Sequence, residues 1–208
     1  MMAADLLLTL PLLFFSIILH EYAHGAVAER FGDDTARVMG RLTLNPLPHI
    51  DIVGTIILPA VCMLTNAPMF GWAKPVPVNP YRLSNKPISI VLVAAAGPLS
   101  NFFLAAICAL AMQVVTHTMT PTDSQMLLLR CLNYGTLVNL YLCVFNLLPI
   151  PPLDGSKLLE AALPGRFSDF YARIAPNGFM IIMLLMMTGF FGKVISPIVM
   201  LLYRMLMG

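Results

Sequence analysis

The chain has 208 residues, 59% of them from the apolar set AVILMFWYC and only 11% charged. Twelve Lys and Arg against ten Asp and Glu give a net charge of +2. Too few charges are present to clothe a water-soluble domain of this size, which normally carries ~25% charged residues. A soluble globular enzyme, a disordered chain and a nucleic-acid binder are excluded, and a polytopic membrane protein remains.

In chain order, the first apolar span covers about Asp5 to Ala28 and reaches ~36 Å as a helix, enough to cross a bilayer with some tilt. No Lys or Arg precedes Arg30, so the stretch lacks the positive n-region of a signal peptide. It is expected to stay as a transmembrane helix with the N-terminus outside. Residues 52–70 are apolar but broken by Gly54, Pro59, Asn66 and Pro68. The run Pro75-Val76-Pro77-Val78 cannot be helical and reads as an extended edge strand or polyproline segment. Residues 88–116 and 126–148 form the second and third clear spans, the latter ending in Pro149, Pro151 and Pro152. Residues 153–173 are amphipathic; residues 178–206 are apolar and Met-rich, with breaks expected at Gly192-Lys193 and Pro197. The expected fold is all-α, a bundle of about four to six transmembrane or re-entrant helices with a short extended Pro/Val segment. It forms one membrane-embedded domain over residues 1–208.

The strongest chemical signal is His20-Glu21-Tyr22-Ala23-His24. On a helix, residues i and i+4 share one face, so both imidazoles can bind one zinc ion while the intervening carboxylate takes a proton from water. Four His and three Glu in the whole chain make a chance occurrence rare. An ionisable cluster inside an apolar span is a functional site by default, because its desolvation must be offset. A catalytic zinc usually has three protein ligands, so a third is needed. His49, Asp51, His117 and Asp154 are the candidates. Asp154 stands out because it follows an irregular proline-rich stretch, tolerated at membrane depth only where it lines protein or a water-filled cavity. His49 and Asp51 remain the runners-up. Cys62, Cys108, Cys131 and Cys143 lie far apart in apolar runs with no CxxC pair, which argues against a thiolate zinc site.

The His20–His24 motif, the Gly97-Pro98-Leu99-Ser100-Asn101 stretch and the run from Asn146 to Gly155 together resemble the site-2 protease family of intramembrane zinc metalloproteases. In the last run, Asn146, Pro149, Leu153, Asp154 and Gly155 stand at the family spacing. The long Leu42–Pro59 stretch and the Gly71–Pro80 segment resemble the compact bacterial subgroup without a PDZ domain. The resemblance implies one zinc ion held by His20, His24 and Asp154, Glu21 as general base, and Asn146 contacting substrate backbone or the oxyanion. Asn101 is a weaker oxyanion candidate. It implies a catalytic core of about residues 5–163, substrates that are transmembrane or membrane-bound proteins, and a place in a prokaryotic inner membrane. The rival expectation is a non-enzymatic membrane metal-binding or partner protein that kept the fold.

Charge placement predicts topology. Arg30, Arg37, Arg41, Lys74, Arg82, Lys86, Lys157, Arg166 and Arg173 all face the cytoplasm if residues 52–70 do not cross completely. His24 and Asp154 then share one depth on the cytoplasmic side. The segment is therefore expected to be re-entrant, a hairpin broken at Pro59.

Overall fold

The computed structural model describes residues 3–65, 71–118, 123–163 and 165–208. It is helical throughout, with no strand among the described residues. Four helices are long and apolar enough to cross a membrane, over Thr9–Arg30, Ile88–His117, Gln125–Asn146 and Phe190–Met207.

The first helix, α1 (Ala3–Arg30), stops two residues beyond the expected span, and a single turn α2 (Thr35–Val38) follows. A π turn over Ile52–Ile57 runs into α3 (Leu58–Thr65). These 14 residues amount to roughly 21 Å of rise, short of a ~30 Å hydrocarbon core. The chain then comes back alongside itself: Trp72 N–H donates to Gly54 O (3.1 Å) and Lys74 N–H to His49 O (2.9 Å). Residues 49–55 and 71–74 therefore run alongside each other. The break expected at Pro59 is not there: the chain stays helical from Ile52 to Thr65, and Pro59 sits in the first turn of α3, where a proline is tolerated. Asn66 and Pro68 lie outside the described residues.

Helix α4 (Ile88–Thr118) is the centre of the bundle and packs against α1, α5 (Asp123–Asn146), α6 (Asp154–Ala162) and α9 (Phe190–Met207). Its inner face carries Ala94, Gly97, Ala105 and Ala109, the three alanines fully buried. Small side chains let helix backbones approach closely where lipid removes the hydrophobic drive to associate. Its outer face carries Leu99, Phe103, Ile107, Leu110 and Val114, all exposed. An apolar outer surface is what a lipid-facing helix needs. Leu140, Val144, Ile195 and Val199 form the core between α5 and α9.

Two helices, α7 (Gly165–Ile174) and α8 (Gly178–Met187), connect α6 to α9. The break between α8 and α9 falls at Gly189, not at Gly192-Lys193 or Pro197, which lie inside α9. Gly189 has φ +69°, a left-handed conformation that side chains resist, so the helix stops there. Pro197 lacks an N–H, but an apolar helix packed among neighbours tolerates that loss. The Pro75–Val78 segment is neither helix nor strand and pairs with no other strand among the described residues.

Its two ends are pinned. Lys74 is bonded to His49, and Asn79 N–H donates to the buried Asp33 (2.6 Å), which also accepts from Thr35. Burial alone would push the Asp33 carboxyl up. The hydrogen bonds from Thr35 and Asn79, with the Arg82 charge, outweigh it and hold the group below the usual carboxylate range.

Candidate metal centre

The site is assembled by three helices. α1 carries His20 and His24 one turn apart, both buried. α4 meets them with Gly97: a Cβ there would collide with His24 Nε2 and fall 2.5 Å from His20 Nε2. The glycine of the Gly97-Pro98 stretch is therefore the gap into which the rings fit. α6 begins at Asp154, tucked under the end of α5 because Gly155 has no side chain. A Cβ at Gly155 would strike the carbonyl oxygens of Leu147 and Leu148.

Asp154 Oδ2 lies 3.1 Å from His20 Nε2 and 3.1 Å from His24 Nε2, and the two Nε2 atoms are 3.0 Å apart. The other ring nitrogens fix the tautomers. His24 Nδ1–H donates to the backbone carbonyl of Val93 (2.6 Å), and His20 Nδ1–H to Asn101 Oδ1 (2.6 Å). The Asn101 amide is oriented by its Nδ2, which donates to Ser16 O (3.2 Å) and Asn139 Oδ1 (2.9 Å). Asn139 is oriented in turn by donating to Gly135 O (2.8 Å) and Ser16 Oγ (2.9 Å). Every one of these acceptors faces a donor, so each neutral imidazole carries its proton on Nδ1 and turns its Nε2 lone pair toward Asp154.

The consequence is electrostatic. With both rings neutral, two lone pairs and a carboxylate oxygen converge at 3.0–3.1 Å. In a buried site that repulsion is relieved by a cation bound among them. Ligands ~2.0–2.1 Å from a tetrahedral zinc are themselves roughly 3.3 Å apart, close to the spacing here. His20, His24 and Asp154 are the one group of three potential metal ligands among the described residues, and they fit zinc. Second partners on Nδ1 are the usual means of fixing a ligand imidazole.

The runners-up are elsewhere. His49 is fully buried with Nε2–H donating to Thr43 O (2.9 Å), Asp51 accepts from Gly54 N–H (2.8 Å), and His117 stands in the last turn of α4. Glu21 does not join the metal group; its Oε2 accepts from Val76 N–H (2.7 Å). A cleft of about 360 Å³ opens onto the group, lined by His20, Glu21, His24, Val76, Asn146, Asp154 and Lys157 among others. Lys157 Nζ is 3.6 Å from Asp154 Oδ1, the oxygen turned away from the imidazoles. Asn146 borders the cleft, with Nδ2 donating to Leu142 O one turn back (3.0 Å). Asn101 lies behind His20, on its Nδ1 side, and not in the cleft. Sequence reasoning missed Ser16 and Asn139. Their only signal is a polar residue inside an apolar span, and their partners depend on how the helices pack.

Imidazoles and a carboxylate converging inside a bundle of membrane-length helices, beside a second carboxylate in the cleft, define a metal-dependent membrane hydrolase. The model for peptidase family M50 matches this chain over residues 8–125 and 115–189. The Bacillus subtilis protein named "Putative zinc metalloprotease YwhC" is 38% identical over 194 residues, 89% of this chain and 82% of its own length. Proteins named "Putative zinc metalloprotease Rip2" are 30% identical in Mycolicibacterium smegmatis and 32% identical in Mycobacterium tuberculosis. Those alignments cover 83% and 71% of this chain, but only 64% and 54% of the Rip2 proteins. No solved structure matches. The chain belongs to peptidase family M50, the site-2 protease family, and is a zinc metalloprotease whose substrates are proteins.

Proposed function

We propose that the protein cuts peptide bonds within or near the transmembrane segments of membrane proteins. His20, His24 and Asp154 hold the zinc ion, Glu21 is the general base, and Asn146 contacts the substrate. The observation that carries this reading is the convergence of His20 Nε2, His24 Nε2 and Asp154 Oδ2 beside Glu21 in one cleft. Zinc bound there supplies a Lewis acid that polarises a carbonyl and acidifies water. Glu21, adjacent to His20 in sequence, is turned ~100° around α1 from that ligand, which suits it to water more than to metal. It accepts the proton of the attacking water and returns it to the leaving amine. Asn146 offers an amide at the cleft edge for the substrate backbone or the developing oxyanion.

Membrane-bound substrates are supported by a second, apolar cleft of about 720 Å³. It runs beside Leu10, Leu13, Phe14 and Ile17 of α1, the turns that lead up to His20, and is closed by Trp72 and by Phe145 and Ile195. A helical substrate has its backbone bonded internally and must unwind before its carbonyl can be attacked, so Gly, Pro or Asn in the target segment favours cleavage. The catalytic core is residues 5–163 of a single membrane-embedded domain. The test is incubation of the purified protein with a model transmembrane peptide. Cleavage is expected, and a chelator should abolish it. Zinc binding without any cleavage would favour a metal-binding protein that kept the fold.

The same reading sets the metal centre toward the cytoplasm of a bacterial inner membrane. Tyr81, 91% exposed, lies between α3 and α4, close in sequence to Lys74, Arg82 and Lys86. A Tyr81→Cys variant with the native cysteines replaced should resist a membrane-impermeant maleimide in intact cells and react with a permeant one. Labelling by the impermeant reagent would reverse the orientation.

A further inference from the structure

Resting on the assignment of Glu21 as general base, we infer that Arg41 and the backbone N–H of Val76 are positioning residues for that carboxylate. Arg41 clamps the Pro75–Val78 segment in place, and Val76 N–H in turn holds Glu21.

Three observations carry this. First, Arg41 is a buried guanidinium, 7% exposed, with no carboxylate partner among the described residues and no hydrogen-bond partner on Nε. A buried charge without a counterion is costly and needs a compensating set of contacts. Its contacts are two carbonyls of the segment: Nη2 donates to Lys74 O (2.6 Å) and Pro75 O (3.1 Å). Second, the segment is short of donors. Pro75 and Pro77 have none, so Val76 and Val78 carry its only N–H groups, and Val76 N–H is committed to Glu21 Oε2 at 2.7 Å. This is the sole hydrogen bond the structure gives Glu21 among the described residues, and it leaves Oε1 for the cleft. Third, the Val76 side chain is seated on the bare backbone of α1. A Cβ at Gly25 would stand 2.9 Å from Val76 Cγ1 and 3.0 Å from Leu42 Cδ1. Leu42 follows Arg41, so clamp and notch are parts of one contact.

Arg41 therefore acts at a distance from the chemistry. Its guanidinium spans two successive carbonyls and fixes the peptide plane before Val76. That plane aims the N–H at Glu21. An edge segment free to receive an extended substrate would keep its donors open; here the one donor nearest the site is already used by the enzyme.

Two variants test the chain of contacts. Val76→Pro removes the N–H while keeping an extended backbone between two prolines. Arg41→Met keeps the length of the side chain and removes its donors. Each is purified and measured for zinc per chain and for kcat and KM on one peptide. Zinc should stay near one per chain and KM within about threefold, while kcat falls ~10–100-fold, the range for outer-shell partners. The double variant should be no slower than the Val76→Pro single variant, because both act through the same hydrogen bond. An unchanged kcat in either single variant, or effects that multiply in the double, would overturn the inference. Should Arg41→Met fail to fold, Arg41→Gln takes its place under the same limits, its shorter side chain keeping a polar amide but falling short of the two carbonyls. Loss of zinc alongside kcat would also overturn it, by making the segment a general support. Retained cleavage in Glu21→Gln would instead refute the role of Glu21 itself, so the two failures are distinguishable.

Discussion

Glu21→Gln should keep close to one zinc per chain and lose about 10²–10⁴-fold in kcat, the range supplied by a general acid–base group. The amide is the same size as the carboxylate, so the fold of α1 has no reason to change. The metal group has none either, since Glu21 is not among its converging atoms. What is lost is the acceptor that takes the proton from water. The hydrogen bond from Val76 N–H can persist, because a Gln carbonyl oxygen still accepts. Elemental analysis beside a cleavage assay checks both halves. Zinc loss in this variant would make Glu21 a ligand; undiminished cleavage would remove it from the mechanism.

Asp154→Ala should lose zinc and cleavage together, as should His20→Ala and His24→Ala. Among the described residues, Asp154 provides the only negative charge in contact with the two Nε2 atoms, at 3.1 Å from each. Its removal leaves two imidazoles facing each other with one ligand gone. Metal affinity should fall by more than the ~10–100-fold seen when an outer-shell partner is removed. Cleavage should fall to the level of the chelated enzyme. Lys157, 3.6 Å from Asp154 Oδ1, would also lose its partner, but its side chain is half-exposed and can turn to water at little cost. Full zinc and near-normal cleavage in the Asp154 variant would refute its assignment as third ligand.

Much of this site is legible in the sequence, for a physical reason. His20 and His24 are brought together by one helical turn, a local rule that needs no tertiary information. Asp154 is legible less directly, through prolines that make sense in an apolar chain only beside a cavity. That residues 52–65 fall short of a full crossing is legible from the breakers around them, but the break expected at Pro59 is not, because the helix runs on through it. The support behind the ligands is not legible. Asn101 reads equally as an oxyanion donor or as a packing residue, and only the meeting of α1, α4 and α5 shows it behind His20, bonded to Asn139. Arg41 and Val76 are silent for the same reason: one is 33 residues from the carbonyl it holds and the other 55 from the carboxylate. The end of α8 is misplaced from sequence because Gly189, Gly192 and Pro197 all look like breaks, and only the left-handed backbone at Gly189 distinguishes them.

The commitment of both Nδ1 protons to acceptors on other helices has a consequence for how metal is acquired. In a zinc finger the ion collects its ligands from an unfolded chain, and the ordering cost falls on the binding step. Here Val93 O and Asn101 Oδ1 lock each ring, and Ser16 and Asn139 lock Asn101, without any part played by the ion. Ring rotation and tautomer choice are settled when α1, α4 and α5 associate. The ordering cost of the ligands is thereby met by the packing of the helices, and less of it is left to the binding step.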